Sequence, residues 1–221
     1  VEKTVASSVV DLPKSLEDKI AFREEYLTAY RSARLARRYR KLIDKAADPG
    51  LREAIAKGYH KLLSYKDEFE VARLLQDSRA KAAEVLDGDL KLTYHLAPPI
   101  LGGKGPDGRP RKRAYGQRMD RFWPLLARMK SLRGTPFNPF GYSAERRMER
   151  RLIRQYERDM AKVLKDPARN MDAAVALAEL PLRIRGFGPV KAASAEAAEK
   201  RREELLAAFR AGETGMGEAA E

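Results

Sequence analysis

Leu16, Ile20, Leu27, Tyr30 and Leu42 recur at roughly helical spacing and predict one long helix over residues 15 to about 45. It opens on SLED (15–18), a capping-box pattern with Asp18 in place of the usual Glu. ADPG (47–50) stops it. Leu51, Ile55, Tyr59, Leu62, Lys66 and Phe69 follow one face, which predicts a second helix to about residue 75. Asp77 is placed to cap a short third helix through SRAKAAEVL (78–86).

The period then changes. Leu90, Leu92, Tyr94 and Leu96 alternate with Lys91, Thr93 and His95, the pattern of a half-buried strand. Pro98 and Pro99 end it, and a basic glycine-rich loop, GGKGPDGRPRKR (102–113), returns through RAYG (113–116) as a hairpin. A helix over about 117–132 carries Trp123, the single tryptophan. Pro124 fits it only in the first turn or at a kink. After the turn GTPFNPFGY (134–142), Ser143 caps a helix with Met148, Leu152, Tyr156 and Met160 at four-residue intervals. Asp166 is expected to cap another, with Pro167 at its first position, running to about residue 180. A last helix follows RIRGFGPVKAASA (183–195) and continues to about 210. The fold class expected is mainly α, a helical domain with a small β-hairpin excursion near residues 90–116. Residues 1–14 read as a linker, 15–210 as the helical domain and 211–221 as a flexible acidic tail.

Charge narrows the partners. The formal net charge of +13 suits an acidic counterpart: nucleic acid, an anionic membrane surface, a phosphorylated ligand or an acidic protein. The chain contains no cysteine, which excludes disulfides, a cysteine nucleophile and cysteine-ligated iron–sulfur clusters within it. His60 and His95 are too few for most histidine-based metal sites. No apolar run approaches the roughly 20 residues that cross a bilayer, and no secretory signal is visible, so the expected location is the cytoplasm.

Two segments are candidate anion sites. In the first, Gly186 and Gly188 flank Phe187 just ahead of a helix start, where bare backbone N–H groups can hold a phosphate. Arg185 and Lys191 stand beside them. A helix-hairpin-helix grip on DNA needs a more compact turn than LRIR (182–185) leaves room for. The plainer reading is a connection in which Pro189 starts a helix and Phe187 plugs the core. The second segment spans residues 100–133, with ten Lys/Arg and two Asp, or +8 (ten minus two) of the total. Within it Arg109, Arg111, Lys112 and Arg113 can converge on an anion or an acidic protein, or simply solubilise a loop. Asp67, Glu68 and Glu70, beside Tyr65 and Lys66, could exchange protons but read as a solvated helix face. His95 has no partner in the pattern that would make it a general base, and no catalytic site is expected.

Several stretches, in order, carry a wider likeness: FREEYLTAYRSARLARRYRKLID, KLLSYKDEFEVARLL, YHLAPPIL, GRPRKRAYG, LRGTPFNPFGYSAERRMER and LPLRIRGFGPVK. Over about residues 15–210 the chain resembles the C-terminal region of long, fused indolepyruvate ferredoxin oxidoreductases. The resemblance implies a parent enzyme that oxidatively decarboxylates aryl 2-oxoacids with thiamine pyrophosphate, magnesium, iron–sulfur clusters and coenzyme A, and passes electrons to ferredoxin. None of those cofactors is expected in this chain, which has neither the cysteines nor a thiamine motif. The implied role is an accessory domain, inactive alone. Its implied partners are the catalytic domains of a homodimeric parent and ferredoxin; no membrane and no specific nucleic acid are expected. The competing reading is a basic helical nucleic-acid-binding protein that uses the Gly-Phe-Gly turn.

Overall fold

The structure, a computed structural model, describes residues 15–85, 92–96 and 113–212. These form eight α-helices and one small antiparallel sheet: α1 (Leu16–Tyr30), α2 (Ala33–Ile43), α3 (Pro49–Leu63), α4 (Glu68–Val85), β1 (Tyr94–Leu96), β2 (Arg113–Tyr115), α5 (Phe122–Arg128), α6 (Ala144–Val163), α7 (Met171–Glu179) and α8 (Pro189–Ala211). The protein is therefore mainly α with a small hairpin. Chain contacts divide the expected 15–210 domain into two compact units. Leu16–Tyr65 with Tyr142–Glu221 forms a helical unit, and Lys66–Gly141 lies within a second, inserted unit. No described helix is long and apolar enough to cross a membrane. The linker at 1–14 and most of the tail at 211–221 lie outside the described residues.

In the helical unit, Ile20, Leu27, Tyr39, Ile43, Ile55, Tyr59, Met160 and Leu177 share one core. Hydrophobic burial of such side chains stabilises by about 1.5–3 kcal/mol each. The expected continuous helix over 15–45 is two helices. Leu27 O accepts from both Arg31 N and Ser32 N, and the chain turns. Ser32 then takes extended backbone and accepts from Leu35 N at 3.4 Å, capping α2. A serine competes for backbone donors, so it starts a helix more readily than it continues one. Asp48 caps α3 by accepting from Leu51 N at 2.7 Å, with Pro49 in the first turn. Helices α3 and α7 approach so closely that a Cβ on Gly58 would lie 2.0 Å from the Ala178 carbonyl oxygen. Asn170, not Asp166, caps α7, accepting from Ala173 N at 3.0 Å. Asp166 precedes a separate 3-10 turn, Pro167–Arg169.

In the inserted unit, the second predicted helix is interrupted at 64–67, and Asp67 accepts from Glu70 N at 2.9 Å as α4 begins. Asp77 does not start a new helix; it sits inside α4, where its carboxylate accepts from Arg73, one turn earlier, at 3.0 Å. Strands β1 and β2 pair antiparallel with Tyr94 opposite Tyr115, His95 opposite Ala114 and Leu96 opposite Arg113. Tyr94 turns its ring edge to Trp123 at 5.4 Å and donates its hydroxyl to Asp120 at 2.6 Å. Trp123 is buried with Ala72 and Tyr94. The segment predicted as one helix over 117–132 is α5 between two 3-10 turns, and Pro124 does occupy the first turn of α5.

Candidate functional site

The start of α8 is built by two left-handed glycines, Gly186 with φ +87 and Gly188 with φ +56. A Cβ on Gly186 would meet Val190 Cγ1 at 2.6 Å, so the turn admits little else there. The turn throws Phe187 outward: it is 69% exposed, and Ile184 is the residue buried in its place. The expectation that Phe187 plugs the core is corrected, because two positive-φ residues around it reverse the chain toward solvent. Arg185 is exposed, and its backbone N–H donates to Ser194 Oγ at 3.0 Å.

This helix start has carboxylates of its own. Glu145, in the first turn of α6, lies 3.5 Å from Gly188 N. Lys191 Nζ donates to Glu149 Oε1 at 2.5 Å, and Arg146 Nη1 donates to the other oxygen of Glu149 at 2.6 Å. Glu149 is buried between the two cations, and Arg146 also stacks over Tyr65 at 5.3 Å. The structure thus gathers Arg185, Gly186, Gly188 and Lys191 at one helix start, with two carboxylates where an anion would approach. Of the other candidates, Arg113 is exposed on β2 in the inserted unit. Arg109, Arg111 and Lys112 lie outside the described residues.

A larger cationic feature escaped the sequence reading. Helix α6 buries Ile153, Tyr156, Met160 and Val163 on one side. Its opposite side exposes Arg147, Arg151, Arg154 and Arg158, at steps of four, three and four, with Arg150 half-exposed beside them. Eleven steps of about 1.5 Å from Arg147 to Arg158 make this a stripe about 16 Å long. All four carboxylates of α6 turn to other partners. Glu145 faces Gly188 N, Glu149 holds Arg146 and Lys191, Glu157 holds Arg38 at 2.7 Å, and Asp159 holds Arg202 through two hydrogen bonds at 2.5 and 2.8 Å. Among the described residues the five arginines make no ion pair. The Arg38–Glu157 pair also brings α2 alongside, with exposed Arg34 and Lys41 one turn either side of Arg38. The signal was present in ERRMERRLIRQYER. Four of its arginines, Arg147, Arg151, Arg154 and Arg158, fall on one side only when the segment is wound at 3.6 residues per turn.

The acid–base candidates serve structure. Asp67 and Glu70 are buried, not the solvated face expected of them. Both oxygens of Asp67 accept from Arg133 at 2.6 Å, and Glu70 accepts from Arg73 at 2.6 and 3.0 Å. His95 is exposed on β1. His60 is half-buried between Tyr26 and Tyr39, and burial first, then Arg23, lowers its pKa to about 4. A cavity of about 40 Å³ lies against Leu152, Leu177, Leu180 and Ala195, beside Gln155 and Arg202. That is room for a water or two, not for an aryl 2-oxoacid. Among the described residues, no three acidic or histidine side chains stand where they could hold a metal ion.

Residues 16–204 match the model of a family of unknown function, DUF6537, and the chain belongs to that family. Comparison with curated proteins and with solved structures returns no match.

Proposed function

We propose that this member of the DUF6537 family is an accessory docking region of a 2-oxoacid:ferredoxin oxidoreductase, and that it carries no catalytic step itself. The arginine stripe of α6 is the observation that carries the reading. Five guanidinium groups with no ion-pair partner among the described residues make a surface that attracts an acidic protein and orients it. Contacts of this kind act mainly on association rate, which suits a transient electron-transfer partner. The resemblance over about residues 15–210 supplies the parent enzyme and names ferredoxin as that partner. Thiamine pyrophosphate, magnesium, coenzyme A and the iron–sulfur clusters belong, on this reading, to the parent's other domains.

The experiment is charge reversal in the complete oxidoreductase, Arg151→Glu with Arg154→Glu. The Michaelis constant for ferredoxin should rise, most at low ionic strength, while the turnover number and the constant for the 2-oxoacid stay put. An unchanged constant for ferredoxin at both ionic strengths overturns the docking role of this face.

The nucleic-acid reading draws on one observation, the outward Phe187 between two left-handed glycines. It requires Phe187→Ala to weaken binding to duplex DNA more than Arg151→Glu with Arg154→Glu does. The reverse order leaves only counterion release from the stripe.

A further inference from the structure

Seven aromatic rings form an unbroken series through the helical unit. Tyr65 meets Tyr30 at 6.4 Å between ring centres, Tyr30 meets Tyr26 at 6.3 Å, and Tyr26 meets His60 at 5.3 Å. His60 meets Tyr39 at 6.2 Å, Tyr39 meets Tyr59 at 6.0 Å, and Tyr59 meets Tyr156 at 5.6 Å. Tyr26 and Tyr65 are half-buried, while Tyr30, Tyr39, Tyr59 and Tyr156 are buried. The series therefore runs from the surface into the core.

The phenols differ in where their protons point. Tyr30 donates to Tyr65 O at 2.9 Å, Tyr39 to Ala56 O at 3.0 Å and Tyr156 to Ala178 O at 3.1 Å. A peptide carbonyl accepts a hydrogen bond but is far too weak a base to take the proton. Tyr59 donates instead to the Oε1 carboxylate oxygen of Glu157. The other oxygen of Glu157 accepts from Arg38 Nη2 at 2.7 Å, which aims the carboxylate and holds it in place.

We propose that Tyr59 and Glu157 form a redox-active tyrosine site, fed through the ring series from the half-exposed Tyr26. Tyr59 gives one electron to an outer-sphere one-electron oxidant and its phenolic proton to Glu157. The products are a neutral phenoxyl radical, a protonated Glu157 and the reduced oxidant. Loss of an electron makes a phenol strongly acidic, so a carboxylate already on the hydrogen bond lowers the barrier at Tyr59 relative to its neighbours. Tyr39 and Tyr156 both stack on Tyr59, with interplanar angles of 23° and 15°, which gives the electron a short route at each step. His60 is neutral near pH 7, so it places no positive charge in the path of the oxidising equivalent. Burial keeps the radical from solvent. This inference does not depend on the docking role.

The test uses the full chain and flash-generated tris(bipyridine)ruthenium(III) as the oxidant, with the radical read by electron paramagnetic resonance. Fluorotyrosine is placed at residue 59 in one sample and at the exposed residue 142 in another. Fluorine splitting with the label at 59 and none with it at 142 is the expected result. Splitting from residue 142 alone, or no tyrosyl radical, overturns the proposal. Glu157→Gln, with helicity checked by circular dichroism, should slow radical formation by about 100-fold, the lower end of what a positioned base contributes. It should also abolish the slowing that deuterium oxide causes in the unaltered chain. An unchanged rate and isotope effect would remove Glu157 from the site.

Discussion

Arg133 grips Asp67 with two parallel hydrogen bonds, Nε to Oδ2 and Nη2 to Oδ1, each 2.6 Å, with Arg133 2% and Asp67 3% exposed. The two residues are 66 apart in sequence and tie the start of α4 to the turn after α5. Phe69 packs under the guanidinium at 5.4 Å. The pair's value lies less in attraction than in the cost of breaking it, since removing one partner strands a desolvated charge.

Asp67→Ala should therefore destabilise the inserted unit by about 3–5 kcal/mol. Adding Arg133→Met should recover part of that loss, because the Arg133 guanidinium is then no longer stranded and Glu70 keeps its pair with Arg73. Trp123, the single tryptophan, is buried in this unit and reports its urea unfolding by fluorescence. Equal destabilisation in the single and double variants would contradict the account.

Gly58→Ala should destabilise the helical unit by about 2–3 kcal/mol, the usual range for overpacking at its upper end. The added methyl would stand 2.0 Å from the backbone carbonyl of Ala178, which cannot rotate aside as a side chain can. A thermal melt followed by circular dichroism measures it; a neutral variant would deny the close α3–α7 approach.

His60 makes stability depend on pH in a definite direction. Its pKa falls from the ordinary 6.5 to about 4 in the fold, so between those values the unfolded chain binds the proton and the folded one does not. Stability is complete above pH 6.5 and declines as pH falls toward 4, by on the order of 3 kcal/mol. His60→Gln should flatten this part of the pH profile in urea unfolding. A profile unchanged by the substitution would show that other groups cause the acid loss.

Arg151→Glu with Arg154→Glu should leave stability within about 0.5 kcal/mol, as for exposed residues that make no ion pair among the described residues. It should also bring the chain off a sulfonate cation exchanger at clearly lower salt. Arg202→Glu makes the contrast: it breaks a two-pronged bond to the buried Asp159 and should unfold the helical unit at lower urea.

Much of the local architecture was legible along the chain. Ser143 caps α6 as expected, accepting from Arg146 N at 3.2 Å. Pro189 opens α8, and the period-two stretch at Tyr94–Leu96 is a strand. These features depend on interactions a few residues long, which spacing and residue type express directly. The breaks at Ser32 and at 64–67 were missed because apolar spacing continued across them. A serine or aspartate becomes a cap only when the chain has somewhere to turn and pack.

By itself, the sequence determined the helical class, the place of the hairpin, the helix starts at Ser143 and Pro189, and the strong positive charge. Each follows from steric preference, hydrogen bonding within one turn, or a count. Only the tertiary structure decided which charges face water. It buried Asp67 against Arg133 and Glu149 against Lys191, cations from distant segments, and left Arg147, Arg151, Arg154 and Arg158 on one helix face without an ion-pair partner among the described residues. It turned Phe187 outward and brought Tyr59 from α3 onto Glu157 of α6, 98 residues away. The reason is that burial and ion pairing are properties of neighbours in space, and apolar periodicity marks which side of a helix faces inward without naming what waits there.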